Sequence, residues 1–421
     1  MNRNLWLLAI CQGLFLTNNV TFIAINGLVG WSLAPLGWMA TLPVMGYVVG
    51  GALSTGIVAR TQKRFGRKTS FQLGLGVAVL SALLCGYAAY SQNFWLLVAA
   101  TVVAGYYNAN AQLYRFAAAE LALPAFREKA ISLVMAGGLI GAVAGPNLAV
   151  GTRNLTEVPF AGAYLALAGV ALLAMALLAF IHFPSAESGG GHDRRAGPLQ
   201  ARPAPSGGIL RQAQDERNTA SVKADEGRPL REIMRQPVFI VAAAAGALGY
   251  GVMNLLMAAT PIAMQVCGLP FSDAALVLEW HVIGMFAPGF FTGHLIKRFG
   301  TLPIMAVGLA LNVGCVLVAL SGVELHQFLI ALFLLGVGWN FLFTGSTTLA
   351  LTAYRPEERD KAQGALNFCV FAVLALSSLA SGVLVTTQGW TWLNLGSLLP
   401  LGLTGLALAW LAIKQRASPA S

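Results

Sequence analysis

The segment FAGAYLALAGVALLAMALLAFI, residues 160–181, contains no charged side chain. As a helix it would be roughly 33 Å long, enough to cross a hydrocarbon core about 30 Å thick. Similar segments recur along the 421-residue chain, in which 57% of residues are hydrophobic and only 10% are charged. Soluble proteins carry about 25% charged residues. The sequence therefore predicts a protein that crosses a membrane many times.

Apolar runs between polar breaks predict twelve spans. A lipid-exposed backbone satisfies its hydrogen-bonding groups only in helices or closed barrels, and barrel strands alternate in polarity instead of running apolar throughout. The first run is too long for a signal-peptide core, so it is predicted to be retained. The twelve predicted helices are residues 5–30, 38–59, 70–90, 94–115, 130–150, 160–183, 238–262, 273–296, 301–321, 326–350, 363–385 and 391–413.

The positions of the basic residues predict the orientation of the chain. If the N-terminus is cytoplasmic, 25 of the 26 Lys and Arg residues fall on the inside and only Arg153 falls outside. By the positive-inside rule this places both termini in the cytoplasm. The same distribution accounts for the net charge of +10. A nucleic-acid partner is not needed to explain it, and the partner that the spans require is the lipid bilayer.

A polar segment divides the chain into two halves. Residues 184–236 contain a run of glycines, several prolines, mixed charges and, up to Gln236, no aromatic side chain. This composition is typical of a flexible linker. We predict an N-terminal six-helix bundle at 1–183, a cytoplasmic linker at 184–236 and a C-terminal six-helix bundle at 237–421.

Two motifs show that the halves are related. The sequence KRFG at 63–66 recurs at 297–300, and the pattern P-x-x-R-x-K-A at 124–130 recurs at 356–362, at offsets of 234 and 232 residues. Two motifs at nearly one offset indicate a parallel internal repeat. The loop-motif residues of interest are Lys63, Arg64, Gly66 and Arg67 in the first copy and Lys297, Arg298 and Gly300 in the second.

These loop motifs resemble the signature of the major facilitator superfamily. The first copy keeps the Gly66-Arg67 end, while Ala59 and Lys63 replace the expected glycine and acidic residue; the second copy also keeps Gly293. The resemblance implies an all-α carrier of two six-helix bundles in which the loop motifs are cytoplasmic hinges or latches. Thr101 stands where drug–proton exporters have an arginine, which weakens a drug-efflux reading.

In such a fold, spans 1, 4, 7 and 10 would line a central cavity, and uncharged polar residues gather there. Each of them is equally well explained as a hydrogen-bonding contact between helices. The candidates for the transport pathway are Asn18, Asn19, Tyr107, Asn108, Asn254 and Asn340.

Soft metal ligands occur at helical spacing in two neighbouring spans. Met253 and Met257 share one face of span 7, and His281 and Met285 share one face of span 8 at a similar depth. Thioethers and an imidazole favour Cu(I) over magnesium, calcium or manganese. Methionine is also a common filler of apolar helices, and a lone histidine can be a proton relay, so metal binding and packing are about equally good explanations.

The two pairs resemble the signature of CcoA-like copper importers, a branch of the same superfamily. That resemblance implies Cu(I) import across the bacterial cytoplasmic membrane for cytochrome oxidase assembly, with Met253, Met257, His281 and Met285 as ligands. Copper would be the cargo, and no permanently bound cofactor or partner subunit is expected. Related branches carry riboflavin or other small organic solutes, for which Tyr106, Tyr107 and Trp339 would offer stacking faces.

Two further residues are candidates for the pathway. Cys267, beyond span 7, could deliver copper as a thiolate or could be an ordinary loop thiol. Glu279 could attract cations, couple protons or reach the outer interface, and it should face away from His281, two positions later. The predicted spans carry no convergent acid–base or nucleophile set, so the sequence does not predict an enzyme.

Overall fold

The computed structural model describes residues 3–123, 126–183 and 227–417. In these ranges the regular structure is helical, apart from short turns. The helices are α1 (Arg3–Leu33), α2 (Leu42–Tyr90), α3 (Phe94–Ala111), α4 (Tyr114–Leu121), α5 (Arg127–Thr152), α6 (Ala161–Ala179), α7 (Leu230–Met234), α8 (Pro237–Val266), α9 (Phe271–Phe286), α10 (Gly289–Phe299), α11 (Thr301–Leu320), α12 (Leu325–Ala350), α13 (Arg359–Thr387) and α14 (Gly389–Ala417).

Each of the twelve predicted spans has a helical counterpart. Among the described residues, nine helical segments are long and apolar enough to cross a membrane, and the pair α9 and α10, bent by 42°, makes a tenth. Helix α2 has 49 residues, or about 74 Å, which is more than twice the hydrocarbon thickness. It therefore holds two spans, divided at Gly66, and the 18-residue α3 completes the set of twelve.

The element boundaries differ from the prediction in three places. The predicted loop at 60–68 is helical on both sides of Gly66. The fourth predicted span ends at Ala111 and the chain continues in the short helix α4. The eighth span bends between Phe286 and Gly289, at Pro288, because proline has no N–H to continue the helical hydrogen bonds.

The two copies of the loop motif have the same local structure. Gly66 has φ 79° and ψ 169°, and Gly300 has φ 91° and ψ 162°, a region that essentially only glycine occupies. The Arg64 guanidinium lies 5.1 Å above the Phe65 ring. The Arg298 guanidinium lies 5.2 Å above the Phe299 ring. The repeated motif therefore builds a repeated turn.

Glycines allow the helices within each half to approach closely. A Cβ atom on Gly105 would overlap the backbone of Gly50 in α2, and one on Gly284 would lie 2.9 Å from the Phe333 carbonyl oxygen of α12. Lipid gives no hydrophobic drive for helix association, so backbone contact of this kind supplies much of the packing. The second contact fixes α9 against α12 and so positions His281.

The end of the predicted linker is attached to the second half. The Arg228 side chain donates from Nε and Nη2 to the Glu358 carboxylate, at 2.8 and 2.7 Å. The Arg228 and Arg355 backbone N–H groups donate to the same carboxylate. Glu358 is fully buried, and the hydrogen bonds from Arg228 hold the pKa of its carboxyl well below the usual range. Residues 184–226 of the predicted linker lie outside the described residues.

Three contacts join the halves near the end opposite the basic loops, which the sequence predicts to be the outer end. Asn147 of α5 donates to the Glu279 carboxylate at 2.9 Å. The Thr41 hydroxyl donates to the Ser378 carbonyl oxygen at 2.6 Å. The third contact is aromatic and involves the basic residue predicted to lie outside. The guanidinium of Arg153 lies 5.2 Å from the ring of Phe160 and 5.5 Å from the ring of Phe271.

Candidate transport site

Asn340 and Asn254, two predicted pathway residues, tie helices together. Asn340 accepts from the Thr292 hydroxyl and donates to the Met285 carbonyl oxygen, both at 2.7 Å, which links α12 to α9 and α10. Asn254 donates to the Ser377 and Ser378 hydroxyls at 2.9 and 2.8 Å, which links α8 to α13. Their hydrogen-bonding capacity is largely used within the protein, so the structure favours the helix-contact explanation for both.

Asn18 and Asn19 have different environments although they are adjacent in α1. Asn19 accepts from the Tyr47 hydroxyl at 2.9 Å. The Oδ1 atom of Asn18 is buried and has no hydrogen-bond partner among the described residues. Asn18 borders a small cavity within the first half together with Tyr107. The Tyr107 hydroxyl lies near the Asn18 side chain but makes no hydrogen bond of normal geometry in the described part of the chain.

Two other candidates of span 4, Tyr106 and Asn108, are less buried than Tyr107. Asn108 is half-buried and accepts a long hydrogen bond of 3.5 Å from the Gln112 side chain. Tyr106, predicted as a stacking face, has its hydroxyl 3.3 Å from the Thr61 hydroxyl of α2. The ring of Tyr107 packs edge-on against Phe15, with centroids 5.5 Å apart.

Three aromatic side chains form a cluster between α8 and α12. The rings of Trp339 and Phe343 are stacked, with an interplanar angle of 11° and centroids 5.2 Å apart. Tyr250 lies edge-on to both, at 5.1 and 5.3 Å. We call these three residues the aromatic triad. The indole N–H of Trp339 is buried and has no partner within residues 3–123, 126–183 and 227–417.

The sequence singled out Trp339 but missed Tyr250 and Phe343. The sequence could have pointed to Tyr250, because this residue lies three positions before the candidate ligand Met253 and so shares a helical face with it. Val48 of α2 and Tyr250 pack against the same small core cluster, so the Tyr250 end of the triad lies near the first half of the molecule.

All four predicted copper ligands are buried: Met253, Met257 and Met285 belong to one large hydrophobic core cluster, and His281 is fully buried. His281 Nδ1 lies 2.7 Å from the Leu332 carbonyl oxygen of α12, and since a carbonyl can only accept, Nδ1 carries the proton. Nε2 is then left with a free lone pair and has no partner in the described structure. This arrangement, with one ring nitrogen anchored to a carbonyl, is common for metal-binding histidines.

Helix α12 lies against both helices that carry these ligands. Gly246 and Gly249 of α8 face Ser346 and Leu342 of α12, and Met253 lies one turn beyond Gly249 on the same face. His281 also points to α12. The spacing of Met and His residues in two spans carries no information about this third helix. The described residues contain no group of three or more His, Cys, Asp or Glu side chains that could hold a metal ion.

Cys267 and Glu279 lie away from this cluster. Cys267 is exposed beyond the end of α8, and partial burial of its sulfur raises the pKa of the thiol. It is therefore a poor source of thiolate. Glu279 binds Asn147 of the first half, whereas His281 binds α12, in agreement with the expectation that the two side chains point in different directions.

The architecture and the comparisons with known proteins agree on the class. Twelve apolar helices in two repeated halves, with buried polar and aromatic groups on their inner helices, define a membrane carrier and not an enzyme. The family model described as Major Facilitator Superfamily matches residues 5–311 and 280–421. The chain therefore belongs to this superfamily.

Individual relatives support the same class. The chain is similar to the riboflavin transporter RfnT of Brucella anthropi, with 36% identity over 93% of this chain and 91% of the relative. It is 27% identical to the uncharacterized MFS-type transporter YddS of Bacillus subtilis, over 86% of this chain and 80% of that one. The solved structure of a bacterial homologue of the human lysosomal transporter Spinster, inward-facing and unoccupied, has the same fold, with a TM-score of 0.68, 15% identity, and coverage of 99% of this chain and 98% of that one.

Proposed function

We propose that this protein is a secondary transporter that carries riboflavin, or a flavin close to it, across the bacterial cytoplasmic membrane. The observation that carries the proposal is the 36% identity to a riboflavin transporter over nearly the whole of both chains. The aromatic triad supports it, because stacked and edge-on rings suit a flat heteroaromatic cargo. This gives the organic-solute alternative priority over copper, which the resemblance to copper importers had favoured.

Transport would proceed by alternating access. The two halves would rock about the cargo, so that the contacts at Asn147, Thr41 and Arg153 form when the outer side is closed and break when it opens. Both termini and the linker would lie in the cytoplasm, as the distribution of basic residues predicts. No step requires a bound cofactor.

A riboflavin-auxotrophic bacterium that lacks its own riboflavin uptake provides the test. Expression of this protein is expected to restore growth at low external riboflavin and to give saturable uptake of radiolabelled riboflavin. Cells carrying the empty vector are the control. Expression in the membrane without any gain in uptake would contradict the proposal.

Cu(I) is a second candidate cargo, and one observation favours it. Nε2 of His281 is buried without a partner in the described residues, and Met253, Met257 and Met285 on the same two spans are buried as well. Sulfur and imidazole donors of this kind select Cu(I). Copper delivered in this way would supply cytochrome oxidase assembly.

The variant Met257→Leu separates the two cargoes. Leucine nearly conserves volume, so the fold should tolerate it, but it removes a thioether donor. If the cargo is riboflavin, flavin uptake is expected to remain close to wild type and unlabelled Cu(I) should not compete. Loss of copper accumulation in Met257→Leu and His281→Gln, with no riboflavin uptake in the parent, would instead establish copper as the cargo.

A further inference from the structure

Among the buried polar groups that lack a hydrogen-bond partner in the described residues, Asn18 Oδ1, the Tyr107 hydroxyl and Trp339 Nε1 lie on spans 1, 4 and 10. Asn18 is 7% exposed, Tyr107 5% and Trp339 7%. A buried polar group without a hydrogen bond is destabilising, and buried Tyr and Trp usually find a partner. The protein is a membrane carrier that must bind a cargo. The cargo is therefore a candidate hydrogen-bond partner for these groups.

The three groups lie along one connected region that crosses from one half to the other. Asn18, Tyr107 and Tyr47 border the same small cavity in the first half. Phe22 and Tyr47, which border this cavity, belong to the same core cluster as Trp339. Tyr250 in turn contacts Trp339 in the aromatic triad. The core cluster therefore connects the cavity of the first half to the indole of the second.

The chemistry of the three groups restricts the ligand. An indole N–H only donates, an amide oxygen only accepts, and a phenol does both. A ligand that satisfies all three needs a donor and at least one acceptor on its polar edge, joined to a flat apolar body that packs on the triad. An imide, in which an N–H lies between two carbonyls, has this pattern, and the isoalloxazine ring of riboflavin carries one.

We propose that Asn18, Tyr107 and Trp339 recognise the imide edge of the flavin. Asn18 Oδ1 accepts the hydrogen bond of the imide N–H, and Trp339 Nε1 donates to one imide carbonyl. The Tyr107 hydroxyl donates to the other, while the aromatic triad packs against the ring. This inference rests on the proposed function, since it assigns the groups that bind the proposed cargo.

The test uses the purified full-length protein in lipid nanodiscs, with binding followed by quenching of flavin fluorescence. The two ligands are riboflavin and N3-methylriboflavin, in which the imide donor is blocked. Wild-type protein is expected to bind the methylated ligand about tenfold more weakly, because Asn18 Oδ1 is left without its donor. This comparison needs no variant, so it does not depend on a substituted protein folding.

Two variants complete the design. Asn18→Leu should bind riboflavin about tenfold more weakly than wild type and should no longer distinguish the methylated ligand. Trp339→Phe keeps a stacking ring but lacks the N–H, so it should lose about fivefold to tenfold for both ligands while still distinguishing them. Trp95→Phe, at a tryptophan that is 59% exposed, is the matched control and should bind like wild type.

The outcomes separate the two proposals. If wild-type protein binds riboflavin but binds N3-methylriboflavin equally well, the assignment of Asn18 is wrong and the flavin carrier remains. A penalty for methylation that persists in Asn18→Leu would likewise overturn it, since the effect would then be steric. If folded wild-type protein binds no riboflavin at all, the proposed function fails and the recognition scheme fails with it.

Discussion

Gly66 and Gly300 are the residues at which the repeated motif has its clearest structural consequence. Both have a backbone conformation that a Cβ atom strains by about 1–3 kcal/mol. We therefore expect Gly66→Ala and Gly300→Ala each to lower the melting temperature of the detergent-solubilised protein.

Gly56→Ala is the matched control for these two variants. Gly56 lies in the same helix as Gly66, and a Cβ atom there would meet nothing within 4 Å. Its melting temperature should equal or slightly exceed that of wild type. If all three variants melt at the same temperature, the backbone argument is wrong.

The buried carboxylate of Glu358 should make stability depend on pH. Its folded-state pKa lies below the ordinary value of 4.5, so its contribution to stability is fully present above about pH 4.5 and is lost as the pH falls through the folded pKa. Glu358→Gln removes this contribution and leaves Arg228 without its partner. We expect it to lower the melting temperature at pH 7, by an amount that shrinks in acid.

Glu357 provides the comparison for Glu358, because it is adjacent but exposed. Glu357→Gln should have little effect at either pH, since exposed charges contribute little to stability. An effect of Glu358→Gln that stays constant from pH 7 down to pH 2 would show that the carboxylate charge is not the cause.

The sequence could identify individual candidate residues but not their partners. Spacing was enough to place Met253 and Met257 on one face. It could not show that Asn19 is bound by Tyr47 while Asn18 next to it is not. Nor could it show that His281 binds the Leu332 carbonyl, 51 residues away. These outcomes depend on how distant helices pack.

At the level of helices, the apolar runs predicted the spans well because lipid requires an apolar segment of fixed length at each crossing. The helix boundaries were predicted less accurately where a single residue interrupts or bends a helix. The chain passes from the second span to the third through Gly66 with helix on both sides, and the eighth span bends at Pro288. Hydropathy does not reveal either feature, since both depend on single-residue backbone geometry.

Helices α5 and α9 should move apart during transport, because Asn147 and Glu279 join the two halves near the predicted outer end. Cysteines at these two positions, in a protein whose less buried Cys267 and Cys369 are replaced by serine, should be linked by a short thiol-reactive crosslinker. Riboflavin uptake is expected to stop on crosslinking and to return when a cleavable linker is reduced.

Each single cysteine variant treated with the same reagent controls for modification alone. The crosslink should leave binding of the flavin measurable, since it fixes the outer end and not the aromatic triad. Undiminished uptake by fully crosslinked protein would contradict the idea that this contact opens in each cycle.

For the molecule as a whole, charge and repetition predicted the two-half architecture, and the relatives confirm the family. The cargo was harder to predict. Methionine and histidine at helical spacing fitted metal binding and packing about equally well, and the resemblance to copper importers then favoured copper. Aromatic residues from different spans formed the triad only in the folded structure, so sequence spacing could not weigh the flavin alternative properly.

The uncharged character of the proposed recognition groups predicts selectivity among flavins. Asn18, Tyr107 and Trp339 carry no charge, and riboflavin is neutral, whereas its phosphorylated forms would bring negative charge into a low-dielectric site. Unlabelled flavin mononucleotide and flavin adenine dinucleotide should therefore compete with riboflavin uptake much less effectively than riboflavin itself. Equal competition by all three would show that the binding site accommodates the phosphate.

Uptake of radiolabelled riboflavin by liposomes containing only the purified protein tests the central claim most directly. We predict saturable accumulation inside the vesicles, reduced in Trp339→Phe and insensitive to added Cu(I). Folded, correctly inserted protein whose vesicles take up riboflavin no faster than protein-free vesicles would contradict the assignment of the protein as a flavin carrier.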